Sequence, residues 1–368
     1  MTPGDVDESA LVAERLLRVI DEGQRTATYK LALVLALLDA CAERVDPAGR
    51  APAHLHTREV ADHVVRLYLP QVRAYLGVAP SDGPLRQISS GRAVTVQAVL
   101  ALHLESGGAT SAEVARARTP EAYERCLDEV EVNFARFPII RLQVVGGETL
   151  PFLYDVDWNE RVTLTRLHEQ GGGRLRFRAG ASDSLVRLAP LIRPLVELHW
   201  VRQVARWNGI DSETEQLHRH LFGTARVSFP GWLRSGLAEI QGGDCFYCGD
   251  RLPATAHVDH VLPWSRFPND AVENLVLADA RCNSSKRDLL VGHDLVARWA
   301  HRLRSDISAL LGEAADRGWV GDPVRSVGLM RAGYAHLPEG TPLWLGRDQV
   351  ALDDLAGIRA TLAELVTD

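Results

Sequence analysis

The fold of the C-terminal half is decided by the stretch Cys245-Phe-Tyr-Cys248-Gly249, His257-Val-Asp259-His260-Val-Leu-Pro263, Glu273-Asn274 and Arg281-Cys282-Asn283-Ser-Ser-Lys286-Arg287-Asp288, in that order. The run from Val258 to Val261 is β-branched around an Asp-His pair and stops before Pro263, which predicts a strand that ends in a turn. The polar run from Asn283 to Leu290 has helical spacing. These patterns predict a strand, a turn, a second strand and a short helix that faces the Asp-His pair.

Oxygen donors and one imidazole stand where these elements should meet. The carboxylate of Asp259 and the side-chain carbonyl of Asn283 suit a hard cation that keeps open positions, as Mg²⁺ does. His260 beside such a cation can accept a proton from an attacking water. We expect Asn274 to brace the loop that carries His260, and Lys286 to meet a phosphate oxygen. The pattern therefore indicates cleavage of a phosphate ester.

The stretch from about Gly242 to Asp288 resembles the HNH nuclease family, which has the ββα-metal fold. Its Asp-His-x-x-Pro-x-Ser start is similar to the HNH domain of RNA-guided CRISPR nucleases, and its Cys-Phe-Tyr-Cys-Gly and Cys-Asn-x-x-Lys ends are similar to stand-alone bacterial HNH proteins. The resemblance implies a general base at His260, metal ligands at Asp259 and Asn283, and the family's middle asparagine at Asn274. The last ligand is asparagine where the family name has histidine, a variant that leaves the metal role intact.

The same resemblance implies an endonuclease that uses Mg²⁺ or Mn²⁺ and leaves a 5′-phosphate and a 3′-hydroxyl. We expect double-stranded DNA as its substrate. A single metal centre cuts one strand at a time, so double-strand breaks would need a homodimer or sequential nicks. A helical region joined to a nuclease suggests, by analogy, defence against foreign DNA, alone or in a larger defence complex. Two alternatives stay open: an RNA endonuclease, and a non-catalytic nucleic-acid-binding or assembly module.

Three of the five cysteines, Cys245, Cys248 and Cys282, cluster in this stretch. Clustered cysteines in a reducing compartment are typical of metal sites rather than of disulfides. Zinc-bearing relatives in the HNH family use two Cys-x-x-Cys pairs, and here the second pair is reduced to Asp279-x-x-Cys282. We therefore expect a structural Zn²⁺ with Asp279 as its fourth ligand.

The fourth zinc ligand has alternatives. His257 or His293 could replace the carboxylate. His257, two residues before Asp259 on the predicted strand, could instead extend the catalytic metal site. Without zinc, the three thiols would be buried beneath Phe246 and Tyr247.

Composition places the chain among ordinary globular proteins. It has 368 residues, 46% of them hydrophobic and 24% charged, which is length enough for two or three packed units. The longest apolar run, Leu31 to Leu38, falls well short of the roughly 20 residues that a membrane span needs. The start, with Asp5, Asp7 and Glu8, lacks the basic and apolar parts of a secretory signal. We therefore expect a cytoplasmic protein without membrane contact.

The spacing of apolar residues predicts an α+β protein with four segments. They are a helical domain at 1–138, β-hairpins with linking helices at 139–225, the nuclease domain at 226–304 and a C-terminal extension at 305–368 that packs on the rest.

Individual elements follow from apolar spacing and from chain breakers. Helices are predicted over Leu11–Ile20, Tyr29–Leu38, Val60–Leu76 and Val94–Leu104, with a last one over Leu352–Leu365. Hairpin turns are predicted at Gly146-Gly147 and at Gly171–Gly173. The helical stretch Ser184–Trp207 is predicted to break at Pro190 and Pro194.

Basic residues are nearly all arginine, since only Lys30 and Lys286 of the 41 are lysines. The net charge of −7 gives no attraction of the whole molecule to nucleic acid, but it leaves room for a local basic groove. We expect nucleic-acid contacts from arginines near the Asp-His pair and from one predicted strand where arginine alternates with apolar residues: Arg266, Arg281, Arg287, Arg174, Arg176 and Arg178. For the strand arginines, a solvated surface is the alternative.

Overall fold

The computed structural model describes residues 3–21, 26–77, 83–145, 147–210, 214–223 and 229–365. Helices and small antiparallel sheets make it α+β, and they form two compact units. Unit 1 comprises Met1–Cys41 and Pro52–Arg226, and unit 2 comprises Ala42–Ala51 and Val227–Asp368. This division has fewer parts than the four predicted segments, because the predicted hairpin region shares a sheet with the helical region.

The helices of unit 1 are α1 (Pro3–Asp21), α2 (Tyr29–Glu43), α3 (Thr57–Tyr68), α4 (Val94–Glu105), α5 (Ala112–Arg118), α6 (Pro120–Arg136), α7 (Pro138–Arg141), α8 (Leu164–His168), α9 (Ala181–Asn208) and α10 (Thr214–Leu221). The last two residues of α2 belong to unit 2. α3 is shorter than predicted because Pro70 follows it, and the chain continues as a 3-10 turn over Leu69–Val72. α3 and α4 both pack against α6.

The strands of unit 1 are β1 (His54–His56), β2 (Val144–Val145), β3 (Glu148–Thr149), β4 (Tyr154–Asp155) and β5 (Arg174–Phe177). β2 and β3 form a hairpin, and Gly146 of its predicted turn lies outside the described residues. β5 pairs antiparallel with both β1 and β4, with Leu55 opposite Leu175. The predicted hairpin turn at Gly171–Gly173 is wrong: these glycines connect α8 to β5, and the Gly173 carbonyl accepts the Thr57 N–H at 2.8 Å.

Helix α9 runs without interruption through Pro190 and Pro194, so the predicted break is wrong. Its buried face runs across both prolines, from Ala189 through Ile192 to Val196. This packing outweighs the backbone hydrogen bonds that the prolines cannot make. Neither α9, at 28 residues, nor any other described helix combines the length and apolar character needed to cross a membrane.

The elements of unit 2 are α11 (Gly231–Ile240), β6 (His257–His260), β7 (Leu275–Ala278), α12 (Ala280–Lys286), α13 (His293–Ser305), α14 (Ser308–Asp316), α15 (Pro323–Ala335), β8 (Leu343–Gly346), β9 (Gln349–Ala351) and α16 (Leu355–Ala363). β6 pairs with β7 and β8 with β9, both antiparallel. A buried cluster that includes Leu233, Val272, Leu275 and Leu310 joins α11, β7 and α14. The hairpin β6–β7 is therefore held on a core of helices.

The segment Ala42–Ala51 is part of unit 2 although it precedes most of unit 1 in the chain. Its Glu43 carboxylate accepts a hydrogen bond from Nε of Arg325 at 2.6 Å, and both side chains are largely buried. Gly328 lies so close to the Glu43 carbonyl that a Cβ there would overlap it. These contacts fix the segment on α15.

Candidate functional site

The hairpin β6–β7 and helix α12 bring the Asp-His pair and Lys286 together. Asp259 lies opposite Val276 and His260 opposite Leu275, and β6 ends at His260. The next residue along, Val261, donates its N–H to the carbonyl of Asn274 at 2.9 Å, where the 3-10 turn before β7 ends. The end of the strand frees adjacent side chains from strict alternation between faces. Asp259 and His260 can therefore serve one site, as the sequence requires.

The imidazole of His260 is paired with a carboxylate. Its Nε2 lies 2.7 Å from Oδ1 of Asp270, and the two side chains are 18% and 27% exposed. A carboxylate on one ring nitrogen favours the tautomer with its proton there and leaves Nδ1 as the acceptor. Asp270 was not among the residues predicted from the sequence. Its one signal is its position in the loop between the two predicted strands, ten residues after His260.

Asp259 is fixed through one of its two oxygens. Oδ2 accepts a hydrogen bond from the Tyr247 hydroxyl at 2.6 Å and lies 3.4 Å from Nζ of Lys286. Burial, together with the Asp259 carboxylate, raises the pKa of Tyr247 well above its ordinary value, so the hydroxyl stays a donor. Oδ1 of Asp259 has no partner among the described residues and is the oxygen left for a cation.

Lys286 lies inside the site rather than on its surface. Its side chain is 0% exposed, and Nζ donates to the His260 carbonyl at 2.7 Å. Burial lowers the pKa of Lys286, while the Asp259 carboxylate opposes that change. This placement differs from the phosphate contact expected from the sequence, because the ammonium is already engaged by the two residues that it positions.

Asn274 holds both ends of the loop after β6. Its Oδ1 accepts the N–H of Leu262 at 2.8 Å, and its Nδ2 donates to the carbonyls of Leu262 and Asn269 at 3.1 and 2.9 Å. The buried amide thus uses both its donor and its acceptor on backbone groups. This geometry suits the bracing role expected for Asn274, and its importance for cleavage stays a prediction.

Helix α12 begins at Ala280, three residues before the predicted start, and ends at Lys286 rather than Leu290. The cause is Asp279, whose Oδ1 accepts the N–H of Cys282 at 2.8 Å and so caps the helix. Asn283 consequently lies in the middle of the helix. Its half-buried side-chain amide has no hydrogen-bond partner among the described residues, which leaves its carbonyl oxygen available as a ligand.

A second group of donors lies at the start of α12. The sulfur atoms of Cys245, Cys248 and Cys282 and a carboxylate oxygen of Asp279 all lie within 4.8 Å of one another. This is the donor set of a tetrahedral sulfur-rich site, and it is compatible with zinc. His257 and His293 are not part of the group; Nε2 of His293 instead lies 3.3 Å from the Thr361 hydroxyl.

Burial and hydrogen bonds within this group shift the pKa values of its side chains. Burial raises the pKa of Cys248 to about 11, and hydrogen bonds with Asp279 and Cys245 add to that rise. Burial and the bond to Asp279 likewise raise the pKa of Cys282. Burial acts to raise the pKa of Asp279 as well, but the Cys282 N–H and the three thiols outweigh it and lower that pKa. The carboxylate is therefore charged and faces three thiols that a bound metal would deprotonate.

The arginines expected to bind nucleic acid differ in their partners. In unit 2, Arg281 forms an ion pair with Asp348 at 2.8 Å. Arg266 is half-buried and Arg287 is exposed, and their side chains reach only backbone carbonyls, those of Asp288 at 3.5 Å and Ser284 at 3.3 Å. The two latter guanidiniums therefore keep their charge available for a phosphate.

The strand arginines of unit 1 lie on β5, as predicted, or directly after it. Arg178 forms an ion pair with Asp155 at 2.8 Å, and Arg176 lies 4.0 Å from Asp157. Nε of Arg174 is buried without a hydrogen-bond partner in the described part of the chain. Nearby carboxylates thus offset part of the positive charge, and nucleic-acid binding by this strand stays a prediction.

Two families match parts of the chain. Residues 245–291 match the family of HNH endonucleases, and this match indicates a nuclease. Residues 9–221 match the family called domain of unknown function, DUF8808. Because that match spans more than half of the chain, the protein belongs to this family. No curated protein and no solved structure matches the chain.

Proposed function

We propose that unit 2 is a metal-dependent HNH endonuclease that hydrolyses phosphodiester bonds in DNA. One observation carries the proposal: His260, bonded to Asp270, lies beside Asp259 at a strand end inside the segment that matches the HNH family. An imidazole oriented by a carboxylate can accept a proton from water. A second carboxylate beside it can hold a hard cation. Together they suit hydrolysis of a phosphate ester.

Asp259 and Asn283 would hold the divalent cation, Mg²⁺ or Mn²⁺. Both offer an oxygen without a partner among the described residues, and hard cations prefer oxygen ligands. When bound, the cation would stabilise the charge that develops on the phosphate and on the leaving oxygen. Tyr247 and Lys286 hold the Asp259 carboxylate through its other oxygen.

His260 would take the proton of the attacking water at Nδ1, because Nε2 is engaged by Asp270. Asp270 would orient the ring and stabilise the imidazolium that forms. We assign Lys286 and Asn274 positioning roles, since they bond the carbonyl of this histidine and the backbone of Leu262 after it rather than a substrate atom. Arg266 and Arg287 would contact phosphates of the bound strand.

The second donor group would hold a structural Zn²⁺ through Cys245, Cys248, Cys282 and Asp279. It joins the Cys-x-x-Cys turn to the first turn of α12. Since α12 also carries Asn283, loss of zinc would disturb the catalytic ligands as well as the fold.

Cleavage of supercoiled plasmid DNA with Mg²⁺ or Mn²⁺ tests the proposal. We expect wild-type protein to nick the plasmid and EDTA to stop it. His260→Ala should lower the rate by about 10²- to 10⁴-fold, the usual effect of losing a general base. The matched control is His301→Ala, which removes a histidine that is 75% exposed on α13 and should keep the wild-type rate.

Two results would replace this proposal, and a third would change its mechanism. An intact plasmid with wild-type protein that still binds DNA would indicate a binding module. Cleavage of RNA alone would indicate an RNA endonuclease. Full activity in His260→Ala would remove this histidine from the mechanism. By analogy, we also propose a role in defence against foreign DNA. It predicts that wild-type protein, but not His260→Ala, lowers phage plating in an expressing host.

A further inference from the structure

Three aromatic rings form a continuous row that begins at the proposed catalytic histidine. The ring of Phe229 contacts that of His260 with centroids 6.2 Å apart, and it contacts Trp319 at 6.1 Å. Trp319 in turn contacts Trp232 at 6.2 Å. We call Phe229, Trp319 and Trp232 the aromatic row.

The aromatic row is hydrogen-bonded to Asp270, the partner of His260. Nε1 of Trp319 donates to the backbone carbonyl of Asp270 at 3.0 Å, and the side chain of Asp270 bonds His260. At the other end, the guanidinium of Arg317 lies over the ring of Trp232, 5.4 Å from its centroid. That arginine is 51% exposed, and its Nε also forms an ion pair with Glu313 at 2.9 Å. The row thus leads from the reacting imidazole to a cation at the surface.

Each ring of the row is only partly buried. Phe229, Trp232 and Trp319 pack one side on the core cluster of unit 2 and keep some surface in solvent. The part of these side chains that stays in solvent lies beside the proposed water-activating histidine, where a ligand could contact it. Nucleobases are the parts of a DNA strand that stack on aromatic rings, and they do so with little dependence on sequence.

We propose that the aromatic row binds unpaired bases next to the scissile phosphate, so that the nuclease selects single-stranded or locally opened DNA over closed duplex. In a closed duplex the base faces are stacked on one another and cannot reach a protein ring. Arg317 would contact the strand where it leaves the row. This inference rests on the proposed nuclease function, and it departs from the double-stranded substrate expected from the sequence.

Binding in EDTA tests the row apart from cleavage. We would measure the affinity of labelled single-stranded DNA, of a closed duplex and of a duplex with a four-nucleotide bubble. Wild-type protein should bind the single strand and the bubble more tightly than the closed duplex. Trp319→Leu should lower affinity for the first two by about 5- to 150-fold, which is the effect of losing one stacked base, and should leave duplex affinity within twofold.

Two further variants guard against a folding defect. Trp158→Leu is the matched control, because Trp158 in unit 1 is also half-buried and also donates its indole N–H to a carbonyl at 3.0 Å; it should bind all three probes as wild type does. Trp319→Phe keeps a ring without the indole N–H and should retain most single-strand affinity. If the single-strand affinity of Trp319→Phe fell to that of Trp319→Leu, the proposed stacking of bases on the aromatic row would be refuted.

Equal loss of affinity for all three probes in Trp319→Leu would show that the row only covers the core. A wild-type preference for closed duplex would likewise overturn the inference. Failure of the nuclease proposal looks different: single-strand preference in EDTA would persist, but no DNA would be cut with Mg²⁺ or Mn²⁺. Cleavage of closed duplex without preference would overturn the row's role and leave the nuclease intact.

Discussion

Replacing Arg287 by glycine should raise stability while weakening nucleic-acid binding. Arg287 follows α12 with φ 50° and ψ −122°, and Leu289 donates its N–H to the Lys286 carbonyl at 3.0 Å. These are the features of a type II′ turn whose second residue is Arg287, a position that glycine dominates. An L-residue held there costs about 1–3 kcal/mol. The strain persists because Lys286 is fixed inside the site by the His260 carbonyl.

The comparison with Arg287→Ala isolates the backbone, since both variants lose the guanidinium. Taking about 2 kcal/mol of strain relieved, less about 0.5–1 kcal/mol for the greater freedom of glycine in the unfolded chain, the glycine variant should be more stable by about 1 kcal/mol. For a domain of about 150–250 residues this corresponds to a Tm about 2–4 °C higher. Differential scanning calorimetry of the two variants gives this difference directly.

Binding gives the second half of this prediction. Both variants should lose one phosphate contact, so the slope of log affinity against log salt concentration should fall by about 0.7 for a single strand or about 0.9 for duplex. Arg281→Ala is the matched control, because Asp348 already pairs with that guanidinium; its slope should change less. An alanine variant at least as stable as the glycine variant would refute the strain, and an unchanged slope would refute the phosphate contact.

Asp270→Asn should lower the cleavage rate by about 10- to 100-fold at saturating DNA without changing metal-free DNA affinity, because it misorients His260; equal activity across the pH range would remove Asp270 from the site. Purified protein should contain one zinc per chain by elemental analysis, and Cys248→Ser should lower both zinc content and Tm; wild-type protein without zinc would refute the site. Replacing Arg176 and Arg178 by alanine should reduce the slope of log DNA affinity against log salt concentration by up to about one unit per lost contact. An unchanged slope would show that these arginines are ordinary solvated surface residues.

Local patterns in the sequence predicted the elements that depend on local interactions. The strand that carries His260 follows from β-branched residues and Pro263, whereas the helical stretches of unit 1 and the strand that carries Arg174 and Arg176 follow from apolar spacing. Helix boundaries that depend on side-chain caps were harder to predict from the sequence. The cap by Asp279 moves the start of α12 by three residues, whereas from the sequence this side chain was expected only to bind zinc.

Contacts between distant residues could not be predicted from these patterns. β1 pairs with β5 across more than a hundred residues, so the glycines before β5 imitate a hairpin turn that does not form. Burial is a second case. Lys286 has helical spacing from Asn283, which suggests a shared exposed face, but only the packed structure shows its ammonium at the His260 carbonyl. Asp270 is likewise recognisable only in the packed structure, through its contact with the imidazole of His260.

The place of Ala42–Ala51 in the chain has a consequence for biosynthesis and for proteolysis. A ribosome makes this piece of unit 2 first and then residues 52–226, so the piece waits on the order of ten seconds for its partners, at about 5–20 residues per second. The proposed nuclease therefore matures only after unit 1 has been translated. A protease that cuts near Arg226 would release a fragment without the Glu43 partner of Arg325, so an intact nuclease could not be liberated as one continuous piece.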